Sequence, residues 1–364
     1  MMLNFNQFKK SKGFSLLELM IAMVLGLLLV AGAITMFISN KRIYNEQESM
    51  SRLQENARFA IDILLKDIRM AGYSGCSSDM SNVVDHVDGA SDDDSLLNFS
   101  NAVEGSESRA NWEPSDSTQT VGATMWPNTD GISVRYLKDL GLDVGTPYMP
   151  TTSGALHIST NSGLSQGEVI AVADCDSADI FSISNSNPDS GTLVHNTGAN
   201  SAGPKNATKD FQKKYLGDAS VVKFVSRRYI VGTGASGQPA LFRYEYAKDG
   251  EDSDGDGNTT EFLYVGQELI EGVENMQLLY GEDTSGDKIA DTYVDAANVT
   301  SWDNVVAVRL ALLIRTINQS FSTDTATYTL LGGTGNGGYT VTSPGDNRRR
   351  RIFTTTIQIR NRST

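Results

Sequence analysis

The chain has 364 residues, with 44 acidic and 30 basic side chains and a net charge of −14. A surface this acidic does not attract nucleic acid through its overall field, so no direct nucleic-acid binding is expected. The two cysteines and three histidines form no Cys-x-x-Cys or His-x-x-x-His spacing, and no Gly-x-Ser-x-Gly elbow or phosphate-binding glycine loop occurs, so the chain does not read as an enzyme.

From Phe14 to Ile38 the sequence is apolar, and Glu18 is its one charged residue. At about 1.5 Å per residue such a helix is roughly 37 Å long, enough to cross a bilayer core of about 30 Å with some tilt. Lys9, Lys10 and Lys12 before it predict a cytoplasmic N-terminus, with everything after Asn40 outside the cytoplasm. A carboxylate near the start of such a helix costs on the order of 2–3 kcal/mol or more in hydrocarbon, and so asks for a partner. The small residue Gly13 precedes the apolar run, whereas a secretory signal has its cleavage site after one. A cut at Gly13 would leave the helix on the mature protein.

Beyond Asn40 the helical period continues through Met50, Leu53, Ala57, Ile61, Leu64, Leu65 and Ile68, with Arg52, Glu55, Arg58, Lys66 and Asp67 between them on the polar side. Gly72 and Gly75 end it. One helix is therefore expected from about Phe14 to Ala71, its second half lying against a globular domain. Residues 77–128 are acidic, serine-rich and poor in aliphatic residues, and predict a long surface loop pegged by Trp112 and Trp126.

Strands follow at Gly131–Leu137, Glu168–Cys175, Val221–Val231, Ala240–Tyr246, Asn275–Tyr280, Val305–Arg315 and Arg351–Arg360, with a short helical turn expected at Gln267–Val273. His86, His157 and His195 stand in polar, loop-like sequence. Gly332–Gly338 reads as a hairpin tip, and Arg348–Arg351 as the charged start of a strand. The fold class is α+β: a long N-terminal helix packed on a mostly antiparallel sheet domain with long loops.

Two acidic loops have oxygen ligands at alternate positions, as calcium loops do. Asp252, Asp254 and Asp256 form the first half of such a loop, but Leu263 occupies the twelfth position, where an EF-hand needs a glutamate. Asp283, Ser285, Asp287 and Asp291 form the second, with Lys288 where the glycine belongs. No cofactor is required by the sequence; Ca2+ is the one ion these loops suggest. Cys76 and Cys175 predict a single disulfide in an oxidising compartment, the alternative being two buried thiols.

The run Lys12-Gly13-Phe14-Ser15-Leu16-Leu17-Glu18-Leu19-Met20 resembles the class III leader of type IV prepilins and pseudopilins. The resemblance implies that a prepilin peptidase cuts between Gly13 and Phe14 and methylates the new Phe14 amine. It also implies that Glu18, then the fifth residue, pairs with the N-terminal amine of a neighbouring subunit. The domains that follow are a leader at 1–13, a pilin helix at 14–72 with its membrane and assembly segment at 14–38, and a β-rich domain at 73–364. Thr35 stands near the position where major pilins usually carry a helix-kinking proline.

Asp67–Cys76, Ala173-Asp174-Cys175, Tyr280–Asp283 and Trp302–Arg309, in that order, resemble PilW-type minor pilins. That resemblance implies partners: other minor pilins, the major pilin and a tip adhesin. It implies residence in the inner membrane as a single-pass protein with a periplasmic domain, then at the pilus tip. The function implied is a complex that primes pilus assembly and serves twitching motility, adhesion and DNA uptake. A type II secretion pseudopilin of the tip complex, and a calcium-dependent adhesin or ligand-binding module, are the alternative readings.

Overall fold

The computed structural model describes residues 13–74, 82–88, 97–99, 101–107, 125–198, 200, 202–248, 262–319, 325–332 and 339–362. The chain divides into two units, one reaching Ser51 and the other starting at Arg52. A single helix, α1 (Leu16–Met70), contributes to both.

In the first unit the helix is long and apolar enough to cross a membrane, and its apolar window has no burial within the chain. Large side chains from Phe14 through Leu25, Leu29 and Phe37 to Tyr44 are all exposed. At Thr35 the helix runs on: the hydroxyl donates to the carbonyls of Ala31 and Gly32, at 2.9 and 2.8 Å. This back-bonding satisfies the side chain inside an apolar segment without breaking the backbone ladder.

In the second unit α1 buries Leu53, Ala57, Ala60, Leu64, Asp67 and Ile68, which recur at steps of three and four and so share one face. Gly72, at a φ of +73°, turns the chain out of the helix and donates its N–H to the Arg135 carbonyl at 2.9 Å.

The strands are β1 (Val83–Asp85), β2 (Val103–Ser106), β3 (Gly131–Asp143), β4 (Leu156–His157), β5 (Val169–Ala173), β6 (Ala178–Ser182), β7 (Thr192–Leu193) and β8 (Ser220–Thr233). They continue with β9 (Pro239–Lys248), β10 (Phe262–Glu271), β11 (Val273–Glu282), β12 (Thr292–Val294), β13 (Val305–Arg315), β14 (Thr327–Leu330), β15 (Tyr339–Thr342) and β16 (Arg350–Gln358). An eight-stranded sheet runs β1-β6-β5-β8-β3-β2, with β9 also paired to β8 and β10 to β9. A four-stranded sheet runs β12-β11-β13-β16. All pairings are antiparallel except β1 with β6. The α+β expectation therefore holds.

The larger sheet is covered on both faces. Along β5, Val169, Ala171 and Ala173 join a core with Leu137, Phe224 and Phe242, while Ile170 and Val172 join another with Phe181, Phe211 and Val221. Strand alternation sends neighbouring residues to opposite faces, so a strand buried on both reads as an unbroken apolar run.

Two expectations are corrected. Gln267–Val273 is not a helical turn: β10 stays paired with β9 through a bulge between Glu268 and Ile270, and Gly272, at a φ of +91°, leads into β11. Residues 77–128 are not wholly a surface loop, since β1 and β2 lie within them and Val87, Leu97, Phe99 and Val103 are buried. Scattered single apolar residues supply that core although the stretch has no periodic pattern. His86 and His195 lie in loops, as expected, and are buried.

One glycine is fixed by contact. A Cβ on Gly105 would overlap the phenol of fully buried Tyr280, which packs edge-on against Trp302 at 4.9 Å. Gly105→Ala is expected to destabilise the sheet domain by about 1–3 kcal/mol, the usual cost of overpacking a core, read as a lower urea midpoint.

Candidate functional site

At the head of α1 two side chains close on each other. The Glu18 N–H donates to the Ser15 hydroxyl at 3.2 Å, and the Ser15 N–H donates to the Glu18 carboxylate at 3.2 Å. This is a capping box, which satisfies two of the orphan donors of a helix start. The helix dipole favours a negative charge at that end as well. Gly13 and Phe14 precede it directly, and Phe14 is 87% exposed. A Cβ at Gly13 would meet nothing within 4 Å, so the fold places no steric demand for glycine there. The local signal for this pairing is the Ser-x-x-Glu spacing at the head of the apolar run.

In the second unit, Asp67 is 1% exposed and holds α1 to the large sheet. Its two oxygens accept from Arg227 Nη1, each at 3.0 Å, from the Tyr136 hydroxyl at 3.2 Å and from the Tyr229 hydroxyl. Arg227 Nε in turn reaches Glu245 at 2.7 Å. Burial, and then the adjoining Asp67, push the Tyr136 phenol up to about 12, and raise Tyr229 too, so both remain donors. Strands β3 and β8 present these groups side by side: Val134 pairs with Arg227 and Ile132 with Tyr229. A cleft of about 320 Å3 opens beside them, lined in part by Lys66, Met70, Tyr136, Phe224 and Tyr246.

A second ionic cluster ties three strands of the four-stranded sheet together at one end, where β11 and β16 begin and β13 finishes. Arg350 Nε and Nη2 donate to Glu274 at 2.6 and 2.9 Å, and its Nη1 and Nη2 to Asp346 at 2.8 Å each. Arg315 reaches the same Glu274 at 3.2 Å, and Arg348 donates to the Thr316 carbonyl at 2.9 Å. Arg348 and Arg350 are thus engaged internally, and the run does start a strand.

Of the two buried histidines, His86 meets a carboxylate and His195 the Gly154 carbonyl. His86 Nε2 and Asp179 share a hydrogen bond, Asp179 also accepts from the Tyr215 hydroxyl at 2.5 Å, and His195 stacks on Phe211 at 4.0 Å. Burial holds His195 below the usual imidazole range. Beside His86, burial pushes Asp85 up to about 7 from an ordinary 3.8, with only one of its oxygens bonded, to the Val87 N–H at 2.9 Å. The folded chain keeps this proton where the unfolded chain has released it. Its stabilising effect is complete below about pH 4 and is lost as pH rises towards 7. Asp85→Asn is therefore expected to raise stability at pH 8 by about 1–3 kcal/mol and to change little at pH 4, measured by urea unfolding at both.

Of the proposed metal ligands, Asp252, Asp254 and Asp256 lie outside the described residues. In the second loop the carboxylates face backbone donors instead of one another. Asp283 accepts from the N–H groups of Ser285, Gly286 and Lys288 at 3.1, 2.6 and 2.7 Å, Asp291 accepts from Thr284 and Ser285, and Asp287 from Ile289. Among the described residues no three His, Cys, Asp or Glu side chains converge as a metal site. Cys175 is exposed in the turn after β5, next to Asp174, which accepts from the Asp176 and Ser177 N–H groups. Cys76, like the leader before Gly13, lies outside the described residues.

Residues 228–361 match the family model of the type IV pilus-assembly protein W, and residues 8–34 match the prokaryotic N-terminal methylation motif. No curated protein and no solved structure matches the chain.

Proposed function

We propose, on the premise that the chain matches a PilW-family minor pilin, that it co-assembles with other minor pilins into the complex that initiates the type IV pilus and remains at its tip. The matches point to a structural component of the pilus. The observation that carries the finer reading is the helix segment from Phe14 to Tyr44: its large apolar side chains are exposed along their whole course, so they need a bilayer before assembly and neighbouring helices after it. In this reading prepilin peptidase cuts at Gly13, the freed Phe14 amine is methylated, and the β-rich domain stands in the periplasm.

Glu18 then meets the amine of the next subunit, which sets this chain beneath at least one other. A β-rich domain of this size fits more readily at a filament end than in a close-packed shaft. Cys76 and Cys175 are joined. Capture of the full-length protein from membranes, followed by mass spectrometry, tests all of this together: other minor pilins, a Phe14 N-terminus and a Cys76–Cys175 peptide are expected. Secretion-system partners in place of pilus proteins would overturn the pilus role.

A further inference from the structure

The cleft beside the Asp67 anchor has an excess of positive charge that its own surroundings do not balance. Among the described residues four cations line it, Lys66, Lys138, Lys223 and Arg227, against one carboxylate, Glu245. Glu245 is already held by Arg227 at 2.7 Å and by Arg243 at 3.5 Å. Lys223 pairs with Glu168 at 3.3 Å. Lys66 and Lys138 are exposed and take no partner among the described residues. Arg227 commits Nε and Nη1 to Glu245 and Asp67, and its Nη2 takes no partner among them either.

The strand register brings these groups together. Lys138 on β3 stands directly opposite Lys223 on β8, with Tyr136 opposite Val225 and Val134 opposite Arg227. Opposed residues, and those two further along each strand, share one face of a sheet. It is the face on which α1 lies, since Asp67 bonds both Tyr136 and Arg227. Two lysines set opposite each other repel, and Glu168 relieves that repulsion only at Lys223. An anion placed beside Lys138 turns the remainder into attraction. Half-buried Met70 and buried Tyr136 and Val225 supply the apolar part of the lining.

We propose that this cleft binds an acidic segment of a partner protein. Its carboxylates meet Lys66, Lys138 and the open Nη2 of Arg227, and one apolar side chain packs against Met70, Tyr136 and Val225. The lining selects that class of ligand. Small-molecule cavities are mostly apolar with a few polar groups, whereas five of the eleven residues around this cleft of about 320 Å3 are charged. Charges so placed steer a protein partner and fix its register. A long polyanion such as nucleic acid would meet the field of a chain with a net charge of −14. A short acidic segment responds to the nearby cations, because exposed charges beyond about 8–10 Å are largely screened at physiological salt.

The test uses the full-length chain in detergent and a capped synthetic peptide with one leucine between aspartate and glutamate, carrying an uncharged fluorophore. Anisotropy at low ionic strength should report saturable binding. A peptide with asparagine and glutamine in place of the acids should bind about tenfold more weakly or not at all. Lys66→Gln combined with Lys138→Gln should weaken binding of the acidic peptide about tenfold, within the range of two lost ion pairs. The same double variant should unfold in urea at the wild-type midpoint or above it, since Lys138 leaves a like-charge pair. Unchanged affinity of the double variant, equal binding of the amide peptide, or no binding of the acidic peptide would overturn the proposal. Displacement of the peptide by an equal concentration of succinate would assign the cleft to a small free anion instead. Self-association that the double variant abolishes, read by light scattering, would assign it to a second copy of this chain, and either result overturns the partner protein.

Discussion

Replacing Asp67 by alanine is expected to lower the stability of the sheet domain by about 3–5 kcal/mol, the usual cost of removing one partner from a buried ion pair. Asp67 is 1% exposed and takes hydrogen bonds from three side chains of the large sheet. Without it, Arg227 would retain Glu245, but the Tyr229 hydroxyl would lose its carboxylate in a fully buried setting. An unsatisfied buried hydroxyl costs about 1–3 kcal/mol by itself. Asp67→Asn should lose less, since an amide oxygen still accepts from one or two of the donors. Urea unfolding of the full-length protein at pH 7 gives the ordering wild type, Asn, Ala. An alanine variant as stable as wild type would show that the anchor contributes nothing net.

The expected effect on Arg227→Ala is smaller. Its side chain is 22% exposed, so water re-solvates part of what is lost, and Asp67 keeps both tyrosine donors. Screening by solvent puts the change at about 1–2 kcal/mol. The difference between the two variants separates the buried carboxylate from its ion pair. It can be measured in the same unfolding series.

The helix and its boundaries were legible in the sequence because apolar spacing and terminal glycines are local signals. Asp67 was not. Its charge groups it with Lys66, yet it lies three residues after Leu64 and directly before Ile68, on the buried face. Its partners come from β3 and β8, more than sixty residues away, and no local pattern shows that Tyr136, Arg227 and Tyr229 converge on it. The same holds for Arg350, whose Glu274 partner is 76 residues away. The burial of His86 and His195 has no local signal either, since their environment is made by Phe181 and Phe211 from elsewhere in the chain. What the chain's ends do is different. The Gly13–Phe14 junction and the Ser15–Glu18 pair are contiguous, so the signal and the site coincide.

That contiguity makes the second large effect separable. Glu18→Ala removes both the capping-box acceptor and the charge, and recovery of partner minor pilins with the tagged chain is expected to fall about ten- to a hundredfold, or about 1.4–2.8 kcal/mol of pairing free energy. Capping alone would not produce that loss, because a cap contributes about 1 kcal/mol to a helix of 55 residues that hydrocarbon also stabilises. Two variants divide the contributions. Glu18→Gln keeps a side-chain acceptor at the position where glutamine also completes a capping box, but carries no charge. Ser15→Ala loses the hydroxyl that accepts from Glu18 N–H and keeps the carboxylate. If Glu18 docks a neighbour's amine, the glutamine variant behaves like alanine and the Ser15 variant like wild type in the pull-down. If Glu18 serves only to start the helix, the glutamine variant co-assembles normally, and the docking role is lost. The capping box also gives the carboxylate something to bind before a partner arrives. In the proposed assembly, a charge already satisfied by its own helix start enters the membrane at lower cost and then exchanges the Ser15 N–H for the incoming amine.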